Sequence, residues 1–335
     1  MKQAIRRSFL VGLALLVVSS AAFAQYTATT LVKNTGKNGD KQLINPWGMA
    51  YAPGAPFWLS DAGSGLSTLY DGSGNKQGLI VTIPSASGTG LGSPTGIVYN
   101  GSSQFKIMTW TSLFLFATLD GTISGWSNFE PSTALIAVNN SSKGAVYTGL
   151  AITSHASGNM IYAADFANNK VDVYDGNFKF VKSFTDTALP AGFAPLGIQD
   201  LNGQVYVAFG AQNGGKGGYI DIFQEDGTFV KTLIKGKPLN QPWGFAVAPA
   251  NFGALSNTLL ISNNINAGVI NGFDPNTGAF VGTIKNAAGK PIHINQIWGI
   301  EFGGGTANNG QTNQLFYTAG PKNNLNGLFG VIEAQ

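Results

Sequence analysis

A short motif that ends in glycine recurs six times along this chain, and no other feature constrains its fold as strongly. The copies lie about 50 residues apart, and each is followed by several short β-type runs. The six copies are Asn45-Pro46-Trp47-Gly48, Ser93-Pro94-Thr95-Gly96, Val146-Tyr147-Thr148-Gly149, Ala194-Pro195-Leu196-Gly197, Gln241-Pro242-Trp243-Gly244 and Gln296-Ile297-Trp298-Gly299. A repeat of this length with several strands per unit is typical of β-propellers. The sequence therefore predicts an all-β fold, a six-bladed β-propeller.

Each repeat is interpreted as a blade of four antiparallel strands, because short runs rich in β-branched and aromatic residues follow every motif. Turn pairs such as Asp71-Gly72 and Asp175-Gly176 close the third strand. The sixth repeat ends after its third strand, whereas residues 27–34 alternate like a strand and belong to no repeat. We therefore expect an N-terminal strand to complete the sixth blade and close the ring.

The last residue of each motif, here called the marker glycine, has a structural explanation. Without a side chain, it lets six inner strands approach one another closely around an axis. Three motifs carry a tryptophan next to this glycine, and repeated aromatic residues in propellers are mostly core. Trp47, Trp243 and Trp298 are therefore expected to pack between neighbouring blades rather than to stack on a ligand.

Residues 1–24 are interpreted as a secretory signal peptide and residues 25–335 as a single propeller domain. A basic start, an apolar run over residues 9–18 and the small-residue site Ala22-Phe23-Ala24 follow one another as in a cleaved signal. The apolar run is shorter than the ~20 residues that span a bilayer. General secretory and twin-arginine export both fit this segment. We expect a secreted or periplasmic bacterial protein, a monomer with no membrane span after signal cleavage.

Charge and composition exclude several classes of function. Three of the 19 Lys and Arg residues lie in the signal segment, whereas none of the 16 Asp and Glu residues do, so 16 positive charges face 16 negative ones after cleavage. Nucleic-acid binding requires a basic stripe that neutralises phosphates, and no nucleic-acid partner is expected. The absence of cysteine excludes disulfides, thiolate catalysis and cysteine-ligated metals.

Three oxygen-bearing side chains end the second strands of alternating blades. They are Asp61, Asp165 and Asn263. In a propeller, the loops after the second strands and the loops before the inner strands meet at one end of the axial channel. Oxygen ligands from several blades could hold Ca²⁺ or a similar hard cation there. Alternatively, each side chain caps its own strand end by bonding to backbone amides.

Five further residues are candidates for binding a ligand at the channel mouth. Asn45, Gln241 and Gln296 precede inner strands, whereas Gln199 and Glu301 lie two residues beyond marker glycines. Strand alternation points the second residue after each glycine into the channel. Four of the six are apolar there, namely Ala50, Val98, Ala151 and Ala246. A lone carboxylate in such a channel has either a raised pKa or a partner, unless water bonds to it.

Several longer motifs are similar to those of a known protein family. They include Phe57-Trp58-Leu59-Ser60-Asp61, Asp120-Gly121-Thr122-Ile123-Ser124-Gly125-Trp126, Tyr162-Ala163-Ala164-Asp165-Phe166 and Phe316-Tyr317-Thr318-Ala319-Gly320-Pro321. The chain resembles a family of uncharacterised secreted bacterial propellers, some of which carry a Pro-Glu-Pro sorting tail. More distantly, it resembles six-bladed propellers of the NHL-repeat and gluconolactonase type. The resemblance implies the fold and export, and it transfers no catalytic residue.

Two functions therefore stay open. The first is a binding or scaffold module for a glycan, small-molecule or protein partner at the channel mouth, which suits a chain with only 10% charged residues. The second is a lactonase, hydrolase or lyase that depends on a metal such as Ca²⁺ held by Asp61, Asp165 and Asn263.

Overall fold

A computed structural model describes residues 25–154 and 158–335 and places them in six four-stranded antiparallel sheets. The sheets follow one another along the chain as the six repeats do. This confirms the predicted six-bladed β-propeller. The segment interpreted as a signal peptide, residues 1–24, lies outside the described residues, and the assignment of residues 25–335 to one domain stays a prediction.

The strands are numbered in chain order. Blade 1 comprises β2 (Pro46–Ala50), β3 (Phe57–Asp61), β4 (Leu66–Tyr70) and β5 (Lys76–Thr82). Blade 2 comprises β6 (Pro94–Tyr99), β9 (Phe114–Thr118), β10 (Thr122–Trp126) and β11 (Leu135–Asn139). Blade 3 comprises β12 (Tyr147–Thr153), β13 (Met160–Asp165), β14 (Lys170–Asp175) and β15 (Phe180–Phe184). Blade 4 comprises β16 (Phe193–Asp200), β17 (Gln204–Ala211), β18 (Tyr219–Gln224) and β19 (Phe229–Lys235). Blade 5 comprises β20 (Pro242–Val247), β21 (Leu259–Asn263), β22 (Ile270–Phe273) and β23 (Phe280–Thr283). Blade 6 comprises β24 (Ile297–Phe302), β25 (Gln314–Ala319), β26 (Leu328–Ala334) and β1 (Tyr26–Lys33). A small hairpin, β7 (Lys106–Ile107) and β8 (Trp110–Thr111), extends from blade 2, and two short 3₁₀ turns occupy Ser141–Lys143 and Gly253–Leu255.

The N-terminal strand closes the ring as predicted. β1 pairs antiparallel with β26 and forms the outer strand of blade 6, starting from the pair Tyr26 and Ala334. The hydroxyl of Tyr26 also donates to the carbonyl oxygen of Phe252 in blade 5 (2.8 Å) and accepts from the amide of Leu255 (2.9 Å). The strand is therefore bonded to two blades, one through its backbone and one through a buried side chain.

The marker glycines sit where neighbouring inner strands come closest. A Cβ atom on Gly48 would lie 2.7 Å from the carbonyl oxygen of Thr95, and one on Gly244 would lie 2.6 Å from that of Trp298. In each blade the pairing of the inner strand with the second strand also shifts register beside this glycine. A side chain would therefore collide with the backbone of the next blade, which explains why the motif ends in glycine.

Apolar side chains pack between the blades. Between blades 1 and 2, for example, Trp58 stacks on Phe114 with ring centroids 4.2 Å apart, and Trp126 packs against the same pair. Such interfaces hold the ring together and leave only a narrow space on its axis. Within residues 25–154 and 158–335, no helix has the length and apolar character needed to cross a bilayer.

Candidate functional site

A cavity of about 240 Å³ lies on the axis of the propeller. Its wall consists of three or four inner-strand residues of each blade, close to the marker glycine, such as residues 48–51 in blade 1 and residues 299–301 in blade 6. All six blades contribute to this wall, so the cavity exists only because the ring is closed. It is the candidate binding site.

Tryptophan side chains close one end of the cavity. The rings of Trp47 and Trp298 stack 3.6 Å apart, and Trp243 meets both edge-on at 6.2 and 5.9 Å. The indole N–H of Trp243 reaches from blade 5 to the carbonyl oxygen of Thr148 in blade 3 (2.9 Å). The three rings are buried, as predicted for core residues, but they lie together on the axis as well as between blades. They block the end at which the inner strands begin.

The opposite end of the cavity is open to solvent. The marker glycines are buried, whereas Tyr51, Tyr99 and Asp200, three residues further along their strands, are partly exposed. Asp200 accepts a hydrogen bond from the amide of Gly203 (3.2 Å), while its Oδ2 has no partner among the described residues. Burial raises the pKa of this carboxyl group. These three residues could have been identified from the sequence by counting three positions from each marker glycine.

Of the six residues that lie two positions beyond a marker glycine, Glu301 and Gln199 are polar, and both line the cavity. Neither forms a hydrogen bond or ion pair with another residue in the described ranges. Burial raises the pKa of Glu301 to about 8, and its charge in turn helps burial to raise the pKa of neighbouring Tyr51 to about 12. Ala50, Val98 and Ala151 also line the cavity. Most side chains of the wall are thus apolar, and its polar groups include the carboxyl groups of Glu301 and Asp200 and the amide of Gln199.

The other three candidate ligand residues lie at the end that the tryptophans close. Asn45 accepts a hydrogen bond from the indole N–H of Trp298 (3.0 Å). Gln241 donates to backbone carbonyl oxygens, and Gln296 bonds to both the backbone and the side chain of Asn323. All three adopt left-handed backbone angles, with φ near 50°. They hold the turns that lead into the tryptophan-bearing strands, and none lines the cavity.

Asp61, Asp165 and Asn263 end their strands as the sequence indicated, and each is bonded locally. Oδ2 of Asp61 accepts from the amide and hydroxyl of Thr68 (3.1 and 2.7 Å). Oδ1 of Asp165 accepts from the amide of Val146 (3.1 Å). Asn263 accepts from the amide of Asn240, in the linker before blade 5, and donates to the carbonyl oxygen of Val269. These contacts are those of strand-end caps, and no cluster of three or more His, Asp or Glu residues suited to a metal occurs in the described parts of the chain.

Burial perturbs Asp61 in particular. Its side chain is fully buried, and desolvation raises its pKa well above the usual range for aspartate. Oδ1 has no hydrogen-bond partner within the described residues. A cation at Asp61, Asp165 and Asn263 stays a prediction.

No protein-family model matches the chain. The chain is 31% identical over 321 residues to the uncharacterised protein R648 of Acanthamoeba polyphaga mimivirus, a match that covers 89% of this chain and 77% of R648. It is also 31% identical over 283 residues to the uncharacterised protein L690 of the same virus, with 78% of this chain and 74% of L690 covered. These relatives are viral, so the bacterial origin expected from the sequence stays a prediction.

Solved structures of similar fold include a streptogramin B lyase, which aligns with a TM-score of 0.56 at 12% identity over 93% of this chain and 98% of that chain. Hydrazine synthase of Kuenenia stuttgartiensis aligns with a TM-score of 0.51 at 12% identity, over 85% of this chain and 77% of that chain. At such low identity, the likeness shows the propeller fold alone.

Proposed function

This chain belongs to the family of the uncharacterised mimivirus protein R648, and from that premise we propose that it is a binding module whose axial cavity receives a small polar group. One observation carries the proposal. Glu301 faces a cavity closed at one end and has no hydrogen-bond partner among the described residues. Glu301 is half-buried, so its carboxyl group is shielded from bulk water yet accessible to a ligand that bonds to it.

The size and chemistry of the cavity narrow the ligand. Its volume of about 240 Å³ is below the ~300–1,000 Å³ of sites for drug-sized molecules. It therefore suits the terminal sugar of a glycan or one side chain of a protein partner rather than a whole oligosaccharide. Glu301 and Gln199 offer both donors and acceptors, and the partly exposed rings of Tyr51 and Tyr99 at the open end suit contact with a sugar.

Fluorescence titration tests this function, because three tryptophans form the floor of the cavity. Purified protein is titrated with a panel of monosaccharides and screened on a glycan array. At pH 9, where Glu301 is ionised, we expect binding that weakens about tenfold or more in Glu301→Gln, since the amide carries no charge and is a weaker acceptor than the carboxylate. Glu130→Gln, an exposed carboxylate, is the matched control. Equal affinity of wild type and Glu301→Gln for every ligand found would contradict a site in this cavity.

Export is a second part of the proposal. The order of a basic start, an apolar run and Ala22-Phe23-Ala24 supports cleavage of residues 1–24 and secretion, or periplasmic localisation, of a single-domain monomer. N-terminal sequencing of protein recovered outside the cytoplasm is expected to start at Gln25. Recovery of uncleaved protein from the cytoplasm alone would contradict export. Size-exclusion chromatography tests the monomer.

The alternative is a metal-dependent lactonase, hydrolase or lyase that uses Asp61, Asp165 and Asn263. The free, buried Oδ1 of Asp61 is the observation that supports it, because such an oxygen is available to a hard cation. Lactone hydrolysis in the presence of Ca²⁺ that disappears in Asp61→Asn would favour this alternative. Hydrolysis that is unaffected by chelator, or absent altogether, would argue against it.

A further inference from the structure

A buried polar residue occupies the middle of the third strand in five blades. The members of this third-strand column are Thr68, Ser124, Asp172, Asp221 and Asn271. In two of these residues, the polar atoms of the buried side chain have hydrogen-bond partners. Asp172 accepts from the ammonium group of Lys170 (2.7 Å) and the hydroxyl of Tyr147 (2.9 Å). Asn271 accepts from Thr283 and donates to the carbonyl oxygen of Pro238.

Asp221 in blade 4 differs from both. Its side chain has no solvent exposure, and neither carboxylate oxygen has a hydrogen-bond partner within the described residues. The hydroxyl of Thr232, opposite Asp221 on β19, and the carboxyl group of Asp186 both lie close enough to shift the pKa of Asp221, but neither meets hydrogen-bond geometry. Burial and this second carboxylate raise the pKa of Asp221 to about 7. Two acidic side chains thus lie close together, and no basic side chain of the described residues is paired with Asp221.

Asp186 reaches this position from the connection between two blades, as Pro238 does at blade 5. It lies in the linker between blades 3 and 4, two residues beyond β15. The linker before blade 5 likewise contacts the third-strand column, through Pro238 and Asn271, and supplies a neutral carbonyl oxygen. In blade 4 the corresponding contact places the carboxyl group of Asp186 beside that of Asp221. Because a buried, uncompensated charge is strongly unfavourable, the two carboxyl groups either share a proton or bind a counter-charge.

We propose that Asp186 and Asp221 bind a hard divalent cation of the Ca²⁺ type between blades 3 and 4, with the hydroxyl of Thr232 as a further oxygen ligand. Ca²⁺ prefers carboxylate and other oxygen ligands and accepts six to eight of them, so water completes its coordination. The cation bridges the linker and the third strand of blade 4, and so joins one blade to the next. This site is separate from the axial cavity and from Asp61, Asp165 and Asn263.

Thermal unfolding and isothermal titration with CaCl₂ test the site on the purified protein, with chelator as the reference. The diagnostic variant is Asp221→Asn, supported by Asp186→Asn. Asp165→Asn is the matched control, because it removes a carboxylate from the other predicted cation site and leaves this one intact. Each variant is compared with wild type in EDTA and in about 1 mM CaCl₂.

We expect CaCl₂ to raise the Tm of wild type and of Asp165→Asn by about 3 °C or more. Asp221→Asn is expected to show no such rise, and in EDTA its Tm should equal or exceed that of wild type, since it no longer buries an uncompensated carboxylate. An equal rise in Asp221→Asn and wild type would overturn the proposal. The absence of any Ca²⁺ binding by wild type would also overturn it. If wild type binds no Ca²⁺ and differs from Asp221→Asn only in the pH dependence of its Tm, Asp186 and Asp221 share a proton instead.

Discussion

Glu301 shows how much the surroundings of one residue determine its chemistry. It follows its marker glycine by two residues, as Ala50 does in blade 1, yet it places a carboxyl group where four of the six blades have an apolar side chain. Burial raises its pKa to about 8, so the neutral form predominates at neutral pH. A neutral carboxyl group donates as well as accepts, which broadens the polar ligands that the cavity can hold.

The raised pKa predicts a pH dependence of stability. Glu301 binds its proton more tightly in the folded protein than in the unfolded chain. Its contribution to stability is therefore fully present below about pH 4.5 and is lost as the pH rises through about 8. Urea unfolding at pH 5, 7 and 9 should show wild type losing stability relative to Glu301→Gln. Glu130→Gln should follow wild type, and parallel curves for wild type and Glu301→Gln would show that the carboxyl group titrates normally.

The sequence placed only some of the site residues. Strand alternation counted from a glycine located Glu301 and Gln199, because both lie inside regular strands. The same reasoning located Asn45 at a channel mouth but could not show that this mouth is closed. That closure depends on the direction of large rings such as Trp243, whose indole crosses the axis to blade 3, and no local pattern encodes such a contact.

At the scale of elements, the start of each inner strand is the most constrained part of a blade. There a register shift, a glycine and the backbone of the next blade coincide. Relaxation at this point is limited, because both flanking strands are hydrogen-bonded within their own blades. The glycine spacing alone predicted these six positions, since the steric requirement recurs once per blade.

Gly244→Ala tests this constraint. Its new methyl group would lie 2.6 Å from the carbonyl oxygen of Trp298 and 3.0 Å from the amide nitrogen of Ile300. We expect a loss of about 2–4 kcal/mol in the free energy of unfolding, measured with urea. Gly78→Ala is the control, because nothing lies within 4 Å of the added atom and the site is exposed. Similar effects of the two substitutions would contradict the close approach of the blades.

The closing strand has its own test in Tyr26→Phe. The substitution keeps the ring and removes the hydroxyl that bonds to Phe252 and Leu255. Two buried backbone groups then lose a partner, so we expect a loss of about 1–3 kcal/mol. Hydrogen exchange should quicken first at the amides of β1 and its partner β26. Unchanged exchange in both strands would show that the hydroxyl does not secure the closure.

At the scale of the whole molecule, the six repeats predicted the propeller architecture, and the strand-like N-terminal run predicted how the ring closes. A sixth blade with three strands in sequence order needs a fourth, and residues 27–34 were the unassigned strand-like run. By contrast, the pairing of Asp221 with Asp186 joins a linker to a strand some 35 residues away, and spacing does not reveal it.

A closed ring in which every blade contacts two others should unfold as one unit. We expect a single urea transition, with tryptophan fluorescence from the axis and far-UV circular dichroism from all blades coinciding. Deleting β1 exposes the edge of blade 6 and should separate the two curves, because blade 6 then loosens before the rest. Separate transitions in the intact protein would indicate that the blades unfold independently.

The β1–β26 pair also determines how the protein responds to mechanical load. Tyr26 lies opposite Ala334, so a tether attached before β1 and another after β26 emerge from the same point on the rim. Pulling on both tethers concentrates the force on one pair of residues at a time, and the ring opens like a zipper. Pulling instead through two distant blades would load many hydrogen bonds in parallel. The same closure that seals the ring against solvent is thus its point of lowest resistance to force.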